Sequence, residues 1–235
     1  MTDSTISSQG REPATTGQVL PVDRYHTGVR LASLVLWFVV IMLFYLIGRI
    51  LFGLVGGEIS GGSLLVLVVG AIVLAQPVAR WGEKQLVARW TSGRSVRLES
   101  GAITLREKSG ALRIDLRQKV NYWRWWFVIR GRRGGRVSNG HYCVAVRLAQ
   151  NDAAFSVYAF LPPKAAEAFG ARYRFYELRG PNDKEKPSLG GRDAVYLAAE
   201  RTRWESGAEV DPADFETLLK HLAAAVPEFV TMTSS

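Results

Sequence analysis

The apolar positions of this chain change period along its length. From Leu31 to Gly48 no residue is charged; Arg49 interrupts, and the apolar stretch continues through Val55. After the turn Gly56-Gly57-Glu58, a second run extends from Ser63 to Ala79, with Ile59 to Gly62 lengthening it on the near side. Roughly 20 predominantly apolar residues cross a ~30 Å hydrocarbon core as a helix. The pattern therefore predicts two transmembrane helices, at about 31–55 and 60–80, forming a hairpin within 23–90. A cleaved signal peptide does not fit, because its apolar region spans only about 7–15 residues. Residues 1–22, rich in Ser, Thr and Gly, carry too little apolar surface to offset the entropy of ordering and read as a disordered tail.

Beyond Arg94 the period falls to two. Val96 and Leu98 alternate with Arg97 and Glu99, Ile103 and Leu105 with Thr104 and Arg106, and Leu112, Ile114 and Leu116 with Arg113, Asp115 and Arg117. Such alternation marks half-buried antiparallel strands, and Ser100-Gly101 and Ser109-Gly110 supply the turns. Three more strands are expected at Tyr122–Arg130, His141–Ala149 and Ala154–Phe160. Pro162-Pro163 then opens a helix over about 163–178, with Ala166, Phe169, Tyr173 and Tyr176 on one face. The last helix, about 212–226, has Asp211 as N-cap, Pro212 at its first position and an apolar stripe of Phe215, Leu218, Leu219, Leu222 and Val226. Asp193 to Trp204 fits a strand or a short helix equally.

Charge sharpens the membrane reading. The net charge is +9, yet Arg49 and Glu58 are the only charged residues between Leu31 and Ala79. Arg24 and Arg30 precede the first helix, Arg80, Lys84, Arg89 and Arg94 follow the second, and the connecting turn has no cation. Positive flanks stay on the cytoplasmic side, so both termini are expected in the cytoplasm of a multi-pass protein of the inner (cell) membrane. Trp81 and Trp90 suit the interface, Arg49 is expected to snorkel from the outer end, and the spacings Gly53-xxx-Gly57 and Ala71-xxx-Ala75 permit close helix approach. Cys143 is the sole cysteine, so no disulfide forms within the chain.

An antiparallel meander closed by a C-terminal amphipathic helix resembles the pleckstrin-homology-like domains of bacteria, and a two-helix hairpin followed by such a domain is a recurrent bacterial arrangement. The resemblance rests on element order from about Arg94 to Val230. It implies an α+β membrane protein whose residues 91–235 form a cytoplasmic, PH-like β-rich binding or scaffolding domain. No family-specific residue carries over.

Candidate chemistry is sparse. His26, His141 and His221 lie in separate elements without ligand spacing, and no phosphate-cradling glycine motif, nucleophile elbow or kinase signature occurs. No enzyme activity, metal or cofactor is expected. One constellation stands out: between Leu116 and Asn151 there is no acidic residue, while arginines are frequent around Tyr122-Trp123-Arg124-Trp125-Trp126-Phe127. In a strand Trp123, Trp125 and Phe127 share the natural core face, leaving Arg124 and Trp126 on the other. Arg124, Trp126, Arg130, Arg132, Arg133 and Arg136 are therefore the candidate lipid- or partner-binding residues. The expected function is a membrane-anchored, non-catalytic module docking on lipid headgroups or a membrane protein partner. The alternative is a subunit of an oligomeric pore or transport complex, with homo-oligomeric contacts; a nucleic-acid partner is not expected.

Overall fold

The computed structural model describes residues 17–54, 61–129, 137–178, 192–226 and 228–231. Two long helices come first, α1 (Thr27–Leu54) and α2 (Gly61–Arg89). Both are long and apolar enough to cross a membrane, with mean hydropathies of 2.6 and 2.2 over their apolar windows, of which only 6% and 11% is buried within the chain. They pack against each other along a stripe of small residues on α2. Ala71, Ala75 and Ala79 are buried there, and at Gly82 a β-carbon would collide with the Leu36 side chain. Of the two expected small-residue spacings, Ala71-xxx-Ala75 thus lies at this contact. A β-carbon at Gly53 would meet nothing, and Gly57 is outside the described residues. Helix α2 also runs past its expected end near residue 80. Pro77 removes only one backbone donor, and Glu83 to Arg89 contain good helix formers that carry the helix on.

The β-rich part holds two sheets. In the first, β1 (Gln18–Pro21), β2 (Ser95–Glu99), β3 (Ala102–Glu107) and β4 (Gly110–Asp115) follow one another, each antiparallel to the next. The second has the order β8-β5-β6-β7-β9. Its centre is the antiparallel set β5 (Asn121–Val128), β6 (Tyr142–Gln150) and β7 (Ala153–Leu161). The two-residue strands β8 (Tyr176–Glu177) and β9 (Ala208–Glu209) pair in parallel at its edges. The expected single meander is therefore split, because the chain turns after β4 to lay the next strands across the first sheet. Helices α3 (Pro163–Arg172), α4 (Arg192–Ser206), α5 (Pro212–Ala225) and α6 (Glu228–Thr231) complete the fold. The ambiguous segment 193–204 is helical, and α3 stops short of 178 so that Tyr176 can join the sheet.

Between the sheets lies the main core, in which Leu20, Val96, Leu105 and Ile114 meet Val146, Leu148 and Val157, with Phe215, Leu218, Leu219 and Leu222 of α5 closing the open side. Full burial of such side chains contributes about 1.5–3 kcal/mol each. β1 corrects the expected tail: Leu20 and Val22 are each 1% exposed. Their burial supplies the apolar surface that the preceding residues lack. Residues 1–16 lie outside the described residues.

Because β1 leads into α1 and α2 leads into β2, both ends of the hairpin enter adjacent strands of one sheet. Polar contacts fasten this junction. Asp23, with φ 51°, makes two hydrogen bonds to the Glu209 backbone: its N–H donates to the Glu209 carbonyl at 2.8 Å, and its side-chain Oδ1 accepts from the Glu209 N–H at 3.1 Å. Its other carboxylate oxygen pairs with Arg94, which also pairs with Glu107 at 2.6 Å and donates to the Gly207 and Ser206 carbonyls. Burial works to lower the Arg94 pKa, but Asp23 and Glu107 outweigh it and hold the guanidinium above its usual value. Arg24 reaches Asp211 at 2.7 Å and Asp214 at 3.3 Å. Asp211 sits at the N-cap of α5 as the sequence suggests, but its carboxylate makes no capping hydrogen bond and serves Arg24 instead.

Candidate functional site

Strand β5 carries the aromatic run, and its two faces have different fates. Trp123, Trp125 and Phe127 point toward α4, in a second small cluster with Ala145, Tyr158, Ala199 and Tyr196. Trp125 is fully buried, and its indole Nε1 donates to Glu200 Oε2 at 2.8 Å. Glu200 also accepts from Arg203 Nε at 2.7 Å. The Arg203 guanidinium is 4% exposed and lies 4.5 Å over the Tyr158 ring. Burial pulls the Arg203 pKa down, but the hydrogen bonds and charge of Glu200 prevail and raise it. Tyr176 stacks on Tyr196 at 4.2 Å, pinning the β8 edge to the same helix. This face is closed.

On the opposite face Tyr122, Arg124 and Trp126 turn toward the main core. Alternation suggested that Arg124 would stand on an outward docking surface; it is instead 7% exposed. Its Nη1 donates to the Phe229 carbonyl at 2.7 Å, and its guanidinium lies 4.5 Å over the Phe229 ring. Tyr122 donates its hydroxyl proton to the Glu228 carbonyl at 2.7 Å. Together they hold the short α6 against the sheet. Burial lowers the Arg124 pKa, charge interaction with the phenol groups of Tyr122 and Tyr196 acting the other way. Arg124 is thus an internal clip for the C-terminal turn.

Trp126 lies at an opening. Its ring, half-buried, meets Tyr142 with centroids 5.1 Å apart. Between this pair and α3 is a cleft of about 560 Å³, walled also by Val144, Phe169, Tyr173 and Phe175. Phe169 stacks on Phe215 at 6.2 Å, so the far wall is anchored in the main core. The charged groups lining the cleft are Glu167 and Arg174, and Arg174 already has a partner. Apolar volume open to one side with aromatic walls suits the side chains of a protein segment, since rings give large contact area at low entropy cost.

Of the two predicted site residues that are described, Arg124 and Trp126, Trp126 lines this cleft. Arg130, Arg132, Arg133 and Arg136 lie outside the described residues, in the connection between β5 and β6 beyond the Val128–Tyr142 pair. The spacing of the wall residues Phe169 and Tyr173 puts them on one face of a helix, but nothing in that spacing says that the face stands away from β5. Among the described residues no group of three or more His, Cys, Asp and Glu side chains gathers as a metal site. Compared with known proteins, the chain matches no protein-family model, no curated protein and no solved structure.

Proposed function

We propose that this chain is a membrane-anchored, non-catalytic binding module whose cleft beside Trp126 receives an apolar segment of a membrane protein partner. The observation that carries the reading is the contrast at Trp125-Trp126: one ring is sealed under α4, while its neighbour opens into an aromatic cleft that no side chain of the described residues fills. Among the described lining residues the one carboxylate, Glu167, matches the one cation, Arg174, which favours a protein segment over a phosphate headgroup.

Membrane anchorage is supported by two helices that expose Leu, Val, Ile and Phe along most of their length, a surface that water tolerates poorly in so large a continuous area. On this reading α1 and α2 cross the inner (cell) membrane as a hairpin with both termini in the cytoplasm, as the distribution of Arg and Lys favours. The two sheets and the closing helix α5 support a PH-like architecture by element order. Fastening of the hairpin to the sheet through Asp23, Arg94 and Glu107 would hold the cleft in a fixed relation to the bilayer.

The test places a photoreactive side chain at Glu167, at the cleft rim, in the full chain in native membranes. A discrete adduct with another membrane protein is expected. The captured protein, once purified, should bind the full chain in detergent. An adduct only with a second copy of this chain would turn the reading to a homo-oligomer, and no adduct with correctly inserted chain would overturn the cleft as a docking site.

A further inference from the structure

A second cleft, of about 860 Å³, lies where the hairpin meets the first sheet, between the last turns of α2 and strands β1 and β2. Its charged lining is entirely basic: Arg24, Lys84, Arg94 and Arg106, with no carboxylate among the lining residues. These four cations are not equivalent. Arg24 and Arg94 are neutralised by Asp211 and Asp214 and by Asp23 and Glu107. The side chains of Lys84 and Arg106 have no ion pair or hydrogen bond with any described residue. The neighbouring acids are thus engaged elsewhere, and two cations without a partner among the described residues face one cavity from different elements, a helix and a strand. Ser92 contributes polar backbone surroundings, while Val87, Ala88 and Pro21 form an apolar wall.

From this geometry we infer that the junction cleft binds the phosphate headgroup of an anionic lipid drawn from the cytoplasmic leaflet. The inference rests on the membrane-anchored reading above. Lys84 follows Arg80, the first charge after the apolar span of α2, by about 6 Å at 1.5 Å per residue. The polar layer on each side of the hydrocarbon is roughly 5–8 Å deep, so the Lys84 ammonium stands at headgroup depth. Trp81 and Trp90, 65% and 47% exposed, flank the same stretch as interfacial rings. Arg106 offers a planar donor pair that suits phosphate oxygens, and the apolar wall suits the glycerol and first methylenes beneath them. A lipid so held would bridge α2 to β3 and reinforce the protein's own junction.

The full chain, reconstituted in nanodiscs with neutral or mixed neutral and anionic lipids, tests this by native mass spectrometry of retained lipid. Carbonate extraction comes first: a chain stripped from membranes by carbonate would refute the anchorage and the inference together. With anchored protein, anionic lipid should be retained in preference to neutral lipid. Lys84→Gln with Arg106→Gln should lower retention about thirtyfold, roughly fivefold for each charge. Lys84→Arg with Arg106→Lys should keep most of it, and Lys119→Gln with Lys164→Gln should change nothing. Anchored protein without anionic preference, or with a preference untouched by the double Gln variant, would overturn the inference alone. So would inorganic phosphate displacing the lipid at low millimolar concentration, since the cleft would then be reading a free anion.

Discussion

The two faces of the β5–β6–β7 sheet are built from the same short run of sequence, yet one is sealed under α4 while the other, otherwise given to the main core, opens at Trp126 and Tyr142. Under α4, Trp125, Glu200, Arg203 and Tyr158 form a connected set in which the indole and the guanidinium both donate to one carboxylate and the guanidinium lies over the Tyr158 ring. Under α3, Trp126 and Tyr142 face a helix of ten residues whose Phe169 is turned to stack on Phe215 of α5. A short helix committed to α5 cannot also cover the sheet, and the cleft is what remains. Apolar residues in a strand thus indicate burial only together with the element laid over them. At the neighbouring positions Trp125 and Trp126, the larger loss of stability is expected at the sealed ring and the larger loss of binding at the open one.

The largest effect should come from Trp125→Ala. It removes a fully buried indole and the donor to Glu200 Oε2, and large-to-small changes of this kind cost about 3–5 kcal/mol. Chemical unfolding of the full chain in detergent, followed by proteolytic susceptibility of the β-rich part, should show a loss near 4 kcal/mol. A loss below about 1 kcal/mol would mean that α4 does not seal this face in solution.

Next in size is Arg203→Met, which keeps most of the side-chain volume but leaves Glu200 without its main counter-charge. Removing one member of a buried pair costs about 3–5 kcal/mol, and the 20% exposure of Glu200 places the expected loss near the lower end. Adding Glu200→Met should restore much of it, since two apolar side chains leave no stranded charge, although Trp125 then loses its acceptor. If the double variant is no more stable than the single one, the indole–carboxylate bond matters more than the ion pair. That would shift the account of the closed face from Arg203 to Trp125.

How far the sequence reaches can be read from these same residues. Alternation located β2 to β7 with ends close to those observed, Pro162-Pro163 located the start of α3, and Asp211-Pro212 located α5, because each of these signals is local. β1 was missed for the opposite reason. Gln18–Pro21 is four residues long, ends in proline, and is ordered by pairing with Ser95–Leu98 on the far side of the hairpin. The edge strands β8 and β9 are too short to carry a period. Arg124 shows the limit most clearly: its face was assigned correctly, but that face is inner surface too, and its partner Phe229 lies beyond the helix-terminating Pro227. The cations Lys84 and Arg106 were visible as charges, though only folding shows that their neighbours' acids are engaged by other arginines.

The smallest expected stability effect, and the one that separates the two faces most directly, is Trp126→Ala. A tryptophan contributes about 150–250 Å² of contact area; with part of it already open, roughly 100 Å² is lost, or about 2.5 kcal/mol at 25 cal/mol per Å². Tyr142 loses its ring neighbour, but no buried polar atom is stranded, so the cost should stay below that of Trp125→Ala. Partner capture from the Glu167 position should respond in the reverse order. A central aromatic anchor is worth about 2 kcal/mol or more to an interface, so Trp126→Ala should reduce capture at least tenfold while the domain remains folded. Trp126→Phe, which keeps a ring in the wall, should retain most of the adduct. Stability losses of equal size at Trp125 and Trp126 would mean that the cleft is closed in solution, and undiminished capture by a folded Trp126→Ala protein would place the docking site on another face of the molecule.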